Sequence, residues 1–114
     1  MSGDLKRIIL EMGTGNDLYG RDYTKAACRA VQDAIHHSSL TFFRTLDLSP
    51  DDMQIALTIA AQEPEAVDCT RVAQELPYGT VTATAVSGGI NVHHPATGET
   101  SVIVNVAIDV RLPL

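Results

Sequence analysis

Apolar and polar residues alternate with a period of two over four stretches of the chain, as they do in β-strands that bury one face. The four predicted strands are Leu5–Met12, Met53–Ala60, Thr80–Ser87 and Ser101–Leu112. In the first, Ile8, Leu10 and Met12 share one side, and Arg7, Ile9 and Glu11 share the other. The last strand has a fully apolar side, made of Val102, Val104, Val106, Ile108 and Val110.

A helical period is strongest from Asp22 to His37, where apolar residues recur as pairs every four positions. These positions are Ala26, Ala27, Ala30, Val31, Ala34 and Ile35. Either Asp22 or Thr24 can cap the start of this helix, since both side chains accept hydrogen bonds from free amides. The small side chains indicate that the helix lies close to a sheet.

A second helix is predicted between Pro64 and Leu76, with Asp68 as a possible internal start. Pro77 ends it, because the residue before a proline resists helical geometry. Turn residues at 88–89 and 95–98 predict a long hairpin between the last two strands. Residues 38–52 are less regular, and their apolar side chains predict a connection tucked onto the core: Phe42, Phe43, Leu46 and Leu48.

The order β-α-β-α-β-β predicts a single α/β (α+β) domain over residues 1–114, with a mixed four-stranded sheet and both helices on one face. The other face carries small, mildly polar residues: Gln54, Ala56, Thr58, Thr82, Thr84, Ile103, Asn105, Ala107 and Asp109. A solvated face would hold more Lys and Glu, and a second core more Val and Leu. This face either packs against copies of the chain or is merely solvated.

Composition removes several functional classes. A net charge of −6 with only 8 Lys and Arg residues argues against a nucleic-acid or anionic-membrane partner. No apolar run is long enough to span a membrane. The 2 cysteines share no metal or redox spacing, and the first residues lack a basic-then-apolar signal pattern. We therefore expect a cytoplasmic protein with reduced thiols.

The segment Met12–Gly20, followed by Asp22 and 24–27, resembles a small uncharacterised family of bacterial and plant proteins marked by Gly-x-Gly-x-Asp-x-His-Gly. The stretch 76–79 fits the family as well, while Tyr19 stands where the family has His. The resemblance implies no activity. The element order is similar to that of trimeric chorismate-mutase-like proteins, which include the reactive-intermediate deaminases. That likeness implies a homotrimer with small-molecule sites between subunits.

The candidate site is the predicted loop from Gly13 to Gly20, which joins a strand end to a helix start. Its glycines, with exposed amides, could bind an anion. The loop is no dinucleotide fingerprint, since Leu18 stands where the third glycine belongs, and Asp17 would repel phosphate. The alternative is a tight turn in which Asp17 accepts hydrogen bonds from loop amides.

A polar stripe runs beside the apolar one on the first helix, at Lys25, Arg29, Gln32 and His36. Such a stripe is commonly a solvated face. However, cations near a helix N-terminus oppose the helix dipole, so Lys25 and Arg29 could instead hold a carboxylate.

Two functional hypotheses follow. One is a metal-free hydrolase or deaminase-type enzyme acting on a small carboxylate or cyclic amide at a subunit interface. Its catalytic residues would be Asp17 as general acid or base, Tyr19 as hydrogen-bond donor and Lys25, and its ligand-binding residues Gly13, Gly15, Gly20 and Arg29. The other is a non-catalytic metabolite-binding or structural oligomer. Neither hypothesis includes a cofactor or a metal, because the adjacent histidines at 36–37 and 93–94 point apart.

Overall fold

The computed structural model describes residues 5–36, 52–77 and 79–113. Strand β1 is Leu5–Asp17, helix α1 is Tyr23–His36 and strand β2 is Gln54–Ala61. A 3₁₀ turn at Pro64–Ala66 precedes the short helix α2, Cys69–Ala73. Three strands complete the chain: β3 (Thr80–Ser87), β4 (Ile90–His94) and β5 (Glu99–Pro113). The predicted α+β class, with a mixed sheet and two helices, is confirmed. The expected packing of Phe42, Phe43, Leu46 and Leu48 lies outside the described residues.

The sheet has five strands, in the order β1-β5-β2-β3, with β4 paired to β5 as well. β5 is antiparallel to β1, β2 and β4, whereas β2 and β3 are parallel. β1 pairs with one edge of β5. Along the other edge of β5, β4 pairs with its first residues and β2 pairs with those that follow. β4 lies within the predicted hairpin connection rather than in a predicted strand, because it is only five residues long and is flanked by turn segments.

One side of the sheet forms the core with α1 and α2. The alternate residues of β5 that were predicted to be buried are buried, and the small residues of α1 pack against them. The members on α1 include Ala26, Ala27, Ala30, Val31 and Ala34. Asp22 accepts a hydrogen bond from the Lys25 amide at 3.0 Å through Oδ1, which confirms it as the helix cap.

The predicted glycine loop is shorter than expected, because β1 continues to Asp17 and leaves only 18–22 as the connection. Gly13 and Gly15 lie inside the strand, directly beneath α1. A Cβ on Gly13 would lie 2.2 Å from the Ala30 carbonyl oxygen, and one on Gly15 would lie 2.2 Å from that of Ala26. The glycines therefore serve a close approach of strand and helix, rather than a turn.

A register shift between Arg7 and Ile9 decides which side of β1 faces the helices. Beyond it, Gly13 pairs with the buried Val106, while Met12 pairs with Ala107 on the opposite side. Leu10 and Met12 consequently lie on the sheet face that no described helix covers, with Met12 67% exposed. We call this surface the open face.

The predicted second helix is broken, which corrects the expectation of one helix from 64 to 76. Val67 is extended, and the Asp68 carboxylate accepts a hydrogen bond from the Arg71 amide at 3.1 Å, so that α2 starts afresh after Asp68. The possible internal start at Asp68 is confirmed. None of the helices in the described part of the chain is long and apolar enough to cross a membrane.

Candidate functional site

The end of β1 is tied to the start of α1 by a buried carboxylate. Asp17 is 5% exposed, and its Oδ2 accepts a hydrogen bond from the Asp22 amide at 2.9 Å. Gly20 leaves room for this contact, since a Cβ there would lie 2.7 Å from Oδ2. The predicted pairing of Asp17 with a nearby backbone amide is therefore present.

Two cations from α1 face the second oxygen of the same carboxylate. The Lys25 ammonium lies 3.9 Å from Asp17 Oδ1, and the Arg29 guanidinium lies 3.8 Å from it. Arg29 also donates a hydrogen bond to the Asn16 carbonyl at 2.7 Å. The cation side chains are 54% and 51% exposed, so their charged ends reach solvent while Asp17 does not. Two positive charges thus meet one negative charge.

The polar stripe predicted on the first helix lines a single groove of about 360 Å³. Its lining residues are Lys25, Cys28, Arg29, Gln32, Asp33, His36 and Glu75. The two acids have other partners: Asp33 accepts from the Thr14 amide at 3.0 Å, and Glu75 pairs with Arg71 at 3.2 Å. We call this the α1 groove.

Burial shifts the cysteine in the α1 groove away from its reactive thiolate form. Burial raises the pKa of the Cys28 thiol, and the nearby Arg71 only partly offsets this. A thiol with a raised pKa stays protonated, whereas the reactive form is the thiolate. The groove therefore offers cations and amide groups for binding.

Gly13 and Gly15, expected to bind a ligand through their amides, are placed differently by the structure. The Thr14 amide points out of the sheet edge to Asp33. Since amide directions alternate along a strand, those of Gly13 and Gly15 point into the sheet towards β5. Of the seven predicted site residues, Asp17, Gly20, Lys25 and Arg29 come together.

Tyr19 lies in a different hollow, whose lining includes none of the residues of the α1 groove. It is 75% exposed and lines a pocket of about 400 Å³ with His94 and Ser101. His94 Nε2 is 3.0 Å from Ser101 Oγ, and that hydroxyl donates to the Leu18 carbonyl at 3.1 Å. Because a carbonyl can only accept, the serine proton goes to Leu18 and the histidine nitrogen must donate to Ser101.

This His94–Ser101 contact was missed from the sequence, since β4, which carries His94, was not identified as a strand. The two adjacent histidines do point apart, as expected: His93 Nδ1 lies 3.3 Å from Thr100 Oγ1. Within the described ranges no group of three or more His, Cys, Asp or Glu residues could hold a metal ion.

A further hollow of about 510 Å³ opens on the open face. Its lining residues are Met12, Gly13, Thr14, Asp33, Thr58, Ala60, Asn105, Val106 and Ala107. The sequence placed several of them on a face for self-association, but gave no sign that they enclose a cavity. Periodicity shows which residues share a face, and not where a hollow lies on it.

Comparisons with known proteins agree with this fold. A family model described as "Conserved hypothetical protein (Lin0512_fam)" matches residues 7–110. The crystal structure of an FtsZ-like protein of unknown function from Nostoc punctiforme PCC 73102 is 34% identical, with a TM-score of 0.83. The match covers 98% of this chain and 99% of that one. No functionally curated protein matches the chain. The predicted relationship to an uncharacterised family is thereby confirmed, whereas the likeness to deaminase-type trimers stays a prediction.

Proposed function

The chain belongs to the Lin0512_fam family of conserved hypothetical proteins, and we propose that it is a cytoplasmic homo-oligomer that binds a small carboxylate in the α1 groove. Lys25 and Arg29 would hold the anion, and the Asp17 carboxylate lies beside both cations. The observation that carries this proposal is the arrangement of two half-exposed cations around one buried carboxylate oxygen, at 3.9 and 3.8 Å.

The separation of the charges favours an incoming anion. Both distances exceed those of a charge-assisted hydrogen bond, which are about 2.7–2.9 Å. The two cations can therefore turn towards a ligand carboxylate without breaking a close contact with Asp17. Acids elsewhere in the α1 groove compete little, because Asp33 and Glu75 are engaged by Thr14 and Arg71.

Binding is favoured over catalysis by the surroundings of Asp17. One oxygen accepts a backbone amide and the carboxyl group is almost fully buried, so a substrate has little access to it. The alternative is the metal-free hydrolase or deaminase in which Asp17 is the general acid or base. In its favour, Asp17 Oδ1 is the oxygen that faces the groove cations.

Self-association would use the open face, and the element order favours a trimer. That face carries exposed large apolar side chains, among them Leu10, Met12, Ile90 and Val92. A second copy would remove them from water, and burial of apolar area is the main force in most protein association. Both cysteines are free in the structure, in keeping with a reducing compartment.

Titration with glutarate, followed by calorimetry or NMR, tests the binding site. Lys25→Met should weaken binding on the order of tenfold or more, because a hydrogen bond to a charged group contributes roughly 1.5–3 kcal/mol. Lys6→Met, at the far end of β1, is the matched control and should leave the affinity unchanged. Equal weakening by both variants, or no saturable binding, would contradict the proposal.

Asp17→Asn separates the two hypotheses, since it keeps the shape of the side chain and removes its charge. For a binding protein we expect a folded oligomer with altered glutarate affinity. For an enzyme, glutarate binding would persist while turnover disappeared. If Asp17→Asn and Lys25→Met both lower the free energy of unfolding by several kcal/mol, on the scale of a broken buried charge pair, the pair is structural.

A further inference from the structure

The hollow on the open face is built from two rows of residues that cross three strands. In one row Met12 on β1, Ala107 on β5 and Thr58 on β2 are paired. In the next row the paired residues are Thr14, Asn105 and Ala60. The two alanines are the shortest side chains of the array, so the surface is lowest where they lie and higher at the other four positions. The volume and the strand pairing together define a shallow hollow, which we call the sheet-face pocket.

The polar groups of this pocket converge on Asn105 at the centre. Directly beside it lies Thr14, whose hydroxyl donates to the Val104 carbonyl at 3.4 Å and so turns its lone pairs outwards. Thr58 lies diagonally across from Asn105, within reach of the same small molecule. An asparagine side chain presents a donor and an acceptor side by side in one plane. That edge is complementary to another planar group with an adjacent N–H and C=O.

The sheet-face pocket lacks the cations that would hold the carboxylate proposed for the α1 groove. Its lining residues include no Lys or Arg, and the one acid among them, Asp33, accepts the Thr14 amide. An anion would find no positive charge to pair with here, whereas an uncharged ligand needs none. Met12 adds a polarisable thioether, which contacts flat rings favourably.

We propose that the sheet-face pocket binds an uncharged cyclic amide or imide, with the ligand's N–H and C=O edge paired to the Asn105 carboxamide. The ring lies over Ala60 and Ala107, and the hydroxyls of Thr14 and Thr58 bond its remaining polar atoms. Self-association through the open face would cover the mouth of this site. Room for a ligand would remain, because the two alanines on its floor are too small to fill the space. The inference extends the proposed function by adding a second ligand class, and it rests on different residues.

Glutarimide is the probe, and N-methylglutarimide, which lacks the imide N–H, is the matched control ligand. NMR titration of the oligomer should show saturable binding of glutarimide, with shifts at Met12, Thr14, Thr58 and Asn105. Loss of two neutral hydrogen bonds corresponds to on the order of tenfold in affinity. Asn105→Leu should therefore weaken glutarimide binding at least that much. N-methylation, which removes the N–H and places a methyl group against the Asn105 carboxamide, should also weaken binding.

Two paired controls separate this site from its surroundings. Thr58→Val should weaken glutarimide binding, whereas Thr84→Val, its cross-strand neighbour outside the pocket lining, should not. Asn105→Asp, which keeps the shape and adds a charge, should also abolish binding of the imide. Unchanged glutarimide affinity in both Asn105 variants, or no saturable binding at millimolar concentrations, would overturn the inference.

The two probes distinguish failure of the sheet-face pocket from failure of the α1 groove. Glutarate binding should depend on Lys25 and not on Asn105, and glutarimide binding should show the reverse dependence. If glutarate binds in a Lys25-dependent manner and glutarimide does not bind, the α1 groove stands and the sheet-face pocket is wrong. If both probes respond to Lys25→Met alone, there is one site and the inference fails.

Discussion

Single glycines set the distance between β1 and α1. Gly13 and Gly15 bring the strand so near the helix that an added Cβ would overlap the helix backbone. A backbone oxygen cannot rotate away as a flexible side chain can, so the helix itself would have to shift. These two positions are therefore fixed by packing, in contrast to glycines that serve only a turn.

Gly15→Ala is expected to lower the free energy of unfolding by about 3 kcal/mol, in the upper range for overpacking a closely packed interior. Urea denaturation monitored by circular dichroism measures this change in the free energy of unfolding. Gly98→Asn is the control, because Gly98 has a left-handed φ of 75° and open space around it, a conformation asparagine tolerates. Similar, small effects of both substitutions would show that the strand and helix can separate without cost.

The sequence could not reveal this role, because glycine is the same signal in a turn and at a close approach. The small residues at 26, 30 and 34 indicated that the helix lies close to a sheet, but they did not identify the strand that it contacts. The pairing of Asp17 with a local amide was among the expected alternatives. This pairing could be predicted because Asp17 and the amide of Asp22 are close in sequence, so the chain itself keeps them close in space.

At the scale of elements, three charged side chains hold the far ends of β1 and β5 together. Asp109 lies between Arg7, at 2.9 Å, and Arg111, at 3.2 Å. The hydrogen bond from Arg7, followed by that from Arg111, lowers the pKa of the Asp109 carboxyl. The charged form is thus favoured by folding.

Because the pKa of Asp109 is lower in the folded chain, this contribution to stability is complete above the usual aspartate range, about pH 4, and is lost as the pH falls through the folded value. Asp109→Asn should therefore reduce the free energy of unfolding at neutral pH, and this effect should shrink progressively as the pH falls below about 4. Urea unfolding at several pH values tests this, with the exposed Asp52→Asn as control. A destabilisation by Asp109→Asn that does not change with pH would assign the effect to packing.

Elements of strong periodicity were predicted well, and short ones were not. Strand β3 was predicted with its observed ends, and α1 to within one residue at each end. The five-residue β4 was not predicted as a strand, and the start of α2 at Asp68 was predicted only as a possibility, because both depend on contacts outside their own segment. β4 exists through pairing with β5, and the Asp68 amide that begins α2 donates to the Thr24 hydroxyl on α1 at 2.9 Å.

At the scale of the whole molecule, the open face is the surface through which we expect copies to associate. The sequence identified the other residues of this face by their composition, but grouped Leu10 and Met12 on the apolar side of their strand, the side expected to face the helices. The register shift after Arg7 put them on this face, and no periodicity could have revealed it. They make the face more apolar than the Thr, Asn and Ala pattern alone suggested.

Sedimentation velocity at micromolar concentration should give a homotrimer for the wild-type chain, and Leu10→Lys should give a monomer of 12.2 kDa. A lysine on a buried contact surface must be desolvated without a partner, which costs far more than its exposure in a monomer. Gln74→Lys places the same charge on an exposed position after α2 and should remain trimeric. A monomeric wild-type chain would refute self-association, and a dimer would refute the chorismate-mutase-like analogy.

The contacts of α1 with β1 also determine how the sheet can grow. β1 is an edge strand, and an exposed edge is a template on which a strand of another chain can pair. Here the outward Thr14 amide is bonded by Asp33, and the outward Asn16 carbonyl by Arg29. Side chains of the covering helix thus occupy hydrogen-bonding groups that an added strand would need. At this end of the sheet, the two occupied groups oppose the edge-to-edge pairing that leads to fibres. We therefore expect Arg29, the residue proposed to hold a ligand, also to disfavour aggregation.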